Sequence, residues 1–295
     1  MNVLISGLVN TETTVRVRQF PVEYYPIDYP FFGVKTAVSG VAWNIALAMK
    51  NLGDDVSLLS MTGQDFPAAY IRDELRNAGI DASHLLPCLR ETPASVVLYD
   101  DTGKRQIYCD LKDIQETTRV FPEETVRSAD LVVACNINFN RPLLRMAKEM
   151  GKTIATDVHV LRDIWDEYNR EFIENADILF LSDEGIGEEY HDFLWELVHT
   201  CNAGIIVLGR GSRGAAMYDR AKNRIYEVPA AHVGDVVNTV GAGDALFSSF
   251  VHYTARGYQP LDALRRAVVF AAAKIRESGA SRGFITEAVV EAYMQ

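Results

Sequence analysis

Short apolar runs alternate with helix-like segments in the middle of the chain, and this alternation constrains the fold more than any other feature. The strand-like runs cover 131–135, 153–157, 178–181 and 205–208. The helices between them are predicted over 142–150, over 164–175 and over a segment that ends at Cys201. Parallel strands need crossover connections, which are usually helices, so the pattern predicts an α/β fold with a mainly parallel central sheet.

Both ends of the chain fit the same architecture. The apolar run 3–9 predicts a first strand that is buried on both faces. Helical spacing after Ser39-Gly40 predicts a helix over 41–52, and Asp65 is predicted to cap a second helix that begins at Phe66. The C-terminal helices are predicted over 242–255, 260–277 and 286–293. Since no repeat or linker interrupts the pattern, we predict one domain over 1–295.

Two segments depart from the alternation and predict a small separate sheet. Residues 13–37 contain three prolines among β-branched and aromatic side chains, which excludes a helix. Runs 94–99 and 105–110 alternate around Asp101-Thr102-Gly103, as in a hairpin. We expect a β-sheet lid formed by about 13–37 and 94–113. Its aromatic side chains predict either a homodimer through the lid or a lid core, and they are Phe20, Tyr24, Tyr25, Tyr29, Phe31 and Phe32.

Composition narrows the classes of partner and the compartment. The 29 basic and 40 acidic residues give a net charge of −11, which argues against nucleic acid or an anionic membrane as partner. No apolar stretch is long enough to span a membrane, and the N-terminal run lacks the basic flank of a leader. The four cysteines form no CxxC pair, so we expect a reducing, cytoplasmic location.

A glycine-containing loop, 238–244, precedes an apolar helical run and is the strongest local motif. Glycines in the first turn of a helix let backbone N–H groups approach an anion, and the helix dipole favours a phosphate there. The carboxylate of Asp244 could stabilise the end of the helix. It could equally accept a proton from a hydroxyl group, because an aspartate with a pKa of about 3.9 is ionised at neutral pH. The residues alone leave both interpretations open.

A second glycine motif, 209–214, matches the dinucleotide pattern GxGxxG but lacks its context. The pattern should open a helix, whereas 215–218 and 224–228 alternate as in a hairpin. The chain also has no GxxxxGK[ST] loop. Phosphate transfer by this chain would therefore not use a P-loop.

With two motifs in family order, the chain resembles the ribokinase-like (PfkB) carbohydrate kinases. Loop 238–244 is similar to their DTxGAGD-type signature. Ser39-Gly40 with Asn44, followed by Gly53 and Gly63, is similar to their first signature. The resemblance implies a ribokinase-like three-layer α/β/α fold. It also implies an ATP-dependent, magnesium-dependent kinase that phosphorylates a hydroxyl of a small sugar or sugar-like substrate.

The resemblance further implies a role for individual residues. Asp244 is implied to be the catalytic base, and the anion hole is implied to consist of Gly241, Ala242 and Gly243. The substrate pocket is implied to be lined by Glu12, Gly40 and Asn44. The nucleotide is implied to be bordered by Ser182, Gly211, Gly214, Asn238 and Thr239. Asp157, in a stretch similar to the family's Asp-x-Asn, would support magnesium through water.

Three positions depart from the family pattern. Ser39 replaces a glycine, Asn238 replaces an aspartate, and Ser182-Asp183-Glu184-Gly185 stands where the family has NxxE. The neutral amide of Asn238 argues against a monovalent cation beside the loop. Two alternatives stay open: a nucleoside kinase, in which aromatic residues such as Trp43 stack a base, and a sugar-binding protein with impaired catalysis.

Overall fold

The computed structural model describes all residues, 1–295. The strands are β1 (Asn2–Ser6), β2 (Asn10–Arg16), β3 (Val34–Ser39), β4 (Asp55–Thr62), β5 (Leu85–Pro87), β6 (Ala94–Tyr99), β7 (Arg105–Asp110), β8 (Leu131–Ala134), β9 (Thr153–Val160), β10 (Ile178–Ser182), β11 (Ile205–Gly209), β12 (Ala215–Asp219) and β13 (Arg224–Val228). The α-helices are α1 (Val41–Asn51), α2 (Phe66–Asn77), α3 (Glu123–Ser128), α4 (Arg141–Glu149), α5 (Arg170–Asn175), α6 (Tyr190–Thr200), α7 (Ala242–Ala255), α8 (Pro260–Lys274) and α9 (Glu287–Met294).

The main sheet has nine strands in the order β13-β12-β11-β10-β9-β8-β1-β4-β5. All neighbouring strands from β5 to β11 pair in parallel, whereas β12 pairs antiparallel with both β11 and β13. The predicted α/β fold with a mainly parallel sheet is therefore confirmed. The hairpin that argued against a dinucleotide site is also confirmed, as β12 and β13.

Helices cover both faces of this sheet and give three layers. One core cluster of 39 buried residues lies under α1, α2, α7, α8 and α9, and a second of 33 lies under α3 to α6. In β1, Val3 and Ile5 belong to the first cluster and Leu4 to the second, as expected of a strand buried on both faces. No helix of the chain combines the length and the apolarity that crossing a bilayer requires.

A second sheet of four strands, in the order β3-β2-β6-β7, lies apart from the main sheet. The predicted hairpin is β6 and β7, with the predicted bounds. The other half of the small sheet begins earlier than predicted, at Asn10, and residues 17–33 form no strand. Strand β2 holds the two hairpins together, because it pairs with β3 antiparallel and with β6 parallel.

Two predicted elements were wrong in extent. The first strand ends at Ser6 rather than at Val9, where Gly7 packs so closely on Cys135 that a Cβ atom would lie 2.5 Å from its sulfur. The helix predicted over 164–175 covers only Arg170–Asn175. Asp163 and Asp166 accept backbone N–H groups two and three residues ahead, at 2.9 and 2.7 Å. Such local bonds compete with helix formation.

Candidate active site

The site lies where the carboxyl ends of the parallel strands meet the first turn of α7. In open α/β sheets ligands bind outside the carboxyl ends of the strands. Asp157 lies near that end of β9, Ser182 is the last residue of β10, and Gly211 follows β11. The topology therefore brings these predicted residues to the same edge of the sheet.

The first turn of α7 presents backbone N–H groups that no atom of the chain accepts. Gly241 caps the helix with a left-handed φ of 78°, and a Cβ atom there would lie 2.5 Å from the carbonyl oxygen of Ala280. The N–H groups of Gly241, Gly243 and Asp244 have no hydrogen-bond acceptor in the chain, whereas that of Ala242 donates to Thr239 O at 3.2 Å. Of the three predicted anion-hole residues, Ala242 thus has its amide already engaged.

Asn238 shapes this loop through its side chain. Its Oδ1 accepts the N–H of Val240 at 2.7 Å, and its own N–H donates to Ile275 O at 3.0 Å. Asn238, which was predicted to border the nucleotide, therefore uses its side-chain oxygen within the loop. Thr239, its neighbour, is exposed.

Asp244 is partly buried, and its carboxylate is bonded through only one of its oxygens. Nδ2 of Asn44 donates to its Oδ2 at 2.7 Å, and its Oδ1 has no partner in the chain. Burial raises the pKa of Asp244 to about 6, against the opposing effects of the His159 charge, the Asn44 hydrogen bond and Lys274. A carboxylate with one oriented and one unbonded oxygen can accept a proton near neutral pH.

Asn44, predicted to line the substrate pocket, is bonded to Asp244. It lies on α1, is almost completely buried, and uses its amide on Asp244, because α1 packs against α7. The prediction that Trp43 could stack a nucleobase was wrong. Its side chain belongs to the core under α1 and is 3% exposed.

An Asp–His pair at the end of β9 lies close enough to Asp244 to affect its pKa. Asp157 Oδ1 accepts the backbone N–H of His159 at 2.8 Å, and its Oδ2 lies 3.4 Å from the His159 Nδ1. Burial opposes the charges of both side chains. Their mutual attraction nevertheless lowers the pKa of Asp157 and raises that of His159 to about 9. Sequence reasoning assigned no role to His159, and its only signal was its place in Asp157-Val158-His159.

The small sheet contributes a half-buried carboxylate. Burial raises the pKa of Glu12, although the Ser39 hydrogen bond and the charge of Arg105 lower it. Ser39 Oγ donates to Glu12 Oε2 at 3.2 Å. Gly40 has a backbone role, because a Cβ atom there would lie 2.5 Å from Leu8 O.

Near the ends of β10 and β11, the structure explains why Gly214 and Ser182 have the side chains they have. Gly214 is buried with a φ of 91°, and a Cβ atom there would collide with Val228 O, so glycine is needed to open the β12–β13 hairpin. Ser182 Oγ accepts the N–H of Glu184 at 3.2 Å. Gly211 is exposed, with open space around its Cα.

An α/β fold whose helix N-terminus can hold a phosphate next to a carboxylate is the arrangement expected of an enzyme that transfers phosphate to a hydroxyl group. A family model described as pfkB family carbohydrate kinase matches residues 7–287. The chain belongs to this family of ATP-using kinases and is a phosphotransferase with a hydroxyl acceptor.

Known relatives are similar to the chain over most of its length. The ATP-dependent ribose-1-phosphate kinase of Halopiger xanaduensis is 27% identical over 85% of this chain and 84% of its own. The nucleoside kinase of Methanocaldococcus jannaschii is 23% identical over 82% and 80%. Among solved structures, a microbiome-derived acarbose kinase superposes with a TM-score of 0.88 over 99% of this chain and 97% of its own, at 23% identity. This last likeness confirms the ribokinase-like fold.

Proposed function

We propose that the protein is an ATP-dependent kinase that phosphorylates a hydroxyl of a small sugar or sugar-like acceptor, with Asp244 as the base. One observation carries the proposal: the unbonded Oδ1 of Asp244 adjoins a helix turn in which the N–H groups of Gly241, Gly243 and Asp244 have no acceptor. Ala242, Gly40 and Gly214 act through the backbone in this proposal. Glu12 lines the acceptor side, and Ser182, Gly211 and Thr239 line the nucleotide side.

The transfer is proposed to proceed in line. As the acceptor oxygen bonds to the γ-phosphorus of ATP, its proton passes to Asp244 Oδ1. The bond from phosphorus to the bridging oxygen breaks, and ADP leaves with the electron pair. The N–H groups of Gly241, Gly243 and Asp244 stabilise the charge on the γ-phosphoryl oxygens. Asn44 keeps the carboxylate turned towards the acceptor.

The residues of the site can hold Mg²⁺ only if ATP supplies some of its ligands. The chain has no cluster of three His, Cys, Asp or Glu side chains that could hold a metal ion. Mg²⁺ usually takes one or two carboxylates and fills its shell with phosphates and water. Asp157 is the carboxylate we assign to it, through water, because it lies near the carboxyl end of β9 and close enough to Asp244 to affect its pKa. When bound, Mg²⁺ would neutralise charge on the β- and γ-phosphates.

The side chains on the acceptor side favour a polyhydroxyl compound. Asn10 Nδ2 donates to Ser95 Oγ at 3.0 Å, and Glu12 and Ser39 lie beside them on β2 and β3. Such groups match hydroxyls, and the burial of Trp43 removes the base-stacking platform. A nucleoside stays the second candidate, because one relative is named a nucleoside kinase.

A panel of sugars, sugar phosphates and nucleosides, scored for acceptor-dependent ADP release with ATP and magnesium, tests this function. We expect a sugar to stimulate release and a nucleoside to do so less. If no acceptor stimulates release while a sugar raises the melting temperature, the protein binds sugars without phosphorylating them and the proposal fails.

We propose that the small sheet is a lid over the acceptor, because a closed site keeps water from taking the phosphate. Four aromatic side chains of residues 17–33 do not form a core for this lid. They are Tyr24, Tyr29, Phe31 and Phe32, exposed by 89%, 69%, 78% and 95%. We therefore propose that this surface pairs two copies of the chain.

Light scattering measures the molar mass of the protein in solution and so reports the pairing. It should be done at about 10 μM, a concentration at which a dimer with a micromolar dissociation constant forms. We expect the wild type to be a dimer and the double variant Phe31→Ser, Phe32→Ser to be a monomer. Val120→Ser is the control, since Val120 is 88% exposed outside the small sheet. A monomeric wild type would contradict the pairing.

The pH dependence of kcat/KM reports the base. Activity requires ionised Asp244, so it should fall about tenfold per pH unit below its pKa of about 6. His159 is positively charged there and favours the carboxylate, as does Lys274, whereas Asp157 opposes it. His159→Asn should therefore move the acid limb to higher pH. The control is His199→Asn, which alters an exposed histidine on α6 and should leave the acid limb in place. An acid limb that does not move in His159→Asn would show that the charge of His159 does not act on the base.

A further inference from the structure

Lys274 is completely buried, although lysine is among the residues that proteins bury least. It is the last residue of α8, and its Nζ donates to two backbone carbonyls, Val240 O and, at 2.7 Å, Gly279 O. No carboxylate lies within ion-pair distance of it. Burying an ammonium group costs free energy unless its N–H donors find acceptors. The two carbonyl groups provide those acceptors and so allow the charge to be buried.

The two carbonyls belong to the segments that build the phosphate-holding turn. Val240 directly precedes Gly241, the cap of α7. The segment after α8 packs on that cap, since Ala280 O leaves no room for a Cβ atom on Gly241. Ile275 O also accepts the N–H groups of Val237 and Asn238, at 2.9 and 3.0 Å. A positive group at this point therefore fixes the position of the N–H groups of Gly241 and its neighbours.

Backbone carbonyls that converge on one positive ion are the ligands that K⁺ takes in proteins. Here the chain supplies the positive ion itself. Burial lowers the pKa of Lys274 to about 8, although Asp244 and Glu277 raise it, so the ammonium form predominates at pH 7. Asn238 fits this arrangement, because its neutral oxygen serves the N–H of Val240 and brings no further charge.

We propose that Lys274 Nζ acts as a built-in monovalent cation for the phosphate-holding turn. The inference rests on the proposed kinase function and names Lys274 as a positioning residue for it. The ammonium group orders the turn through Val240 and adds positive charge on the side of Asp244 where phosphate arrives. The enzyme therefore needs no K⁺, and removal of the side chain creates a need for one.

Activity in different chloride salts at constant ionic strength tests this. We expect wild-type turnover to agree within about twofold in potassium, sodium and tetramethylammonium. Lys274→Ala should lose about 10²-fold in kcat in tetramethylammonium, the scale of loss when a catalytic group shifts by about an ångström. Potassium or ammonium should restore at least tenfold. A wild type that requires potassium, or a variant that no cation restores, would overturn the inference.

Lys152 offers a matched control. Its Nζ also donates to two backbone carbonyls, Arg127 O at 2.6 Å and Ala129 O at 2.7 Å, away from the site. Lys152→Ala should show neither the loss of turnover nor a response that distinguishes potassium from tetramethylammonium. If both variants respond alike, the effect is a general one of salt on a weakened fold, and the inference fails.

Thermal unfolding separates this inference from the kinase proposal. The melting temperature of Lys274→Ala should rise in potassium or ammonium relative to tetramethylammonium, and those of wild type and Lys152→Ala should not. This readout needs no acceptor, so it stands even if no substrate is found. If Lys274→Ala does not fold in any salt, Lys274→Gln keeps a donor for the carbonyls without the charge. A normal kcat in that variant would overturn the inference, and a lowered kcat at unchanged melting temperature would support it.

Discussion

Asp244→Asn is expected to lower kcat by about 10²- to 10⁴-fold, the usual loss when a positioned general base is removed. The amide cannot take the proton of the acceptor hydroxyl, yet it has nearly the shape of the carboxylate and can still bond Asn44. ATP binding, measured by calorimetry, should persist, because the N–H groups of the turn are unchanged. The variant should melt no lower than the wild type above pH 6, since it no longer buries a charge that the fold disfavours.

Asp262→Asn is the matched control for this variant. Asp262 also lies in the first turn of a helix, α8, but is half-exposed and pairs with Arg265 at 3.1 Å. The substitution removes the same charge from the same kind of position, and turnover should stay within about twofold of wild type, as expected of surface changes. A folded Asp244→Asn enzyme with near-normal kcat would refute the assignment of the base.

Gly241→Ala is expected to lower kcat by about 10²- to 10³-fold, the effect of losing a hydrogen-bond donor to the transition state. The left-handed φ of 78° disfavours alanine, and its Cβ atom would lie 2.5 Å from Ala280 O. The turn must shift, and its N–H groups then no longer meet the γ-phosphoryl oxygens together. Steady-state kinetics should show the loss in kcat together with a higher KM for ATP.

Gly79→Ala separates backbone strain from the effect on the site. Gly79 ends α2 with a left-handed φ of 64°, and a Cβ atom there would meet nothing closer than 3.9 Å. The alanine should reduce stability by about 1 kcal/mol, the usual strain in that conformation, and leave kcat unchanged. If Gly241→Ala behaved in the same way, the turn would have no catalytic part.

The sequence predicted the framework because the framework depends on local patterns. Continuous apolar runs such as 131–135 and 205–208 specify strands buried on both faces, and both were found. The helix over 164–175 was wrong because its apolar spacing was outweighed by the turns that Asp163 and Asp166 form. Residues with short polar side chains can redirect the backbone within two or three positions, which a pattern of hydrophobicity does not register.

The sequence could predict only those parts of the site whose residues are adjacent in the chain. Loop 238–244 shows its glycines and its aspartate together, so the turn and the candidate base were found. Asn44 bonds Asp244 from another element, and the charges of His159 and Lys274 act on its pKa from two more. These placements depend on packing. Lys274 gave no signal at all, because a lysine at the end of a helix ordinarily interacts with the helix dipole in solvent.

The hydrogen bond between Asn44 and Asp244 joins residues 200 positions apart. During synthesis α1 leaves the ribosome long before α7, and a domain folds as a unit. A chain that ends before α7 contains every strand of the main sheet but lacks Asp244. We therefore expect phosphorylating activity to appear only once α7 has packed against α1, and the regain of activity on refolding would time that step.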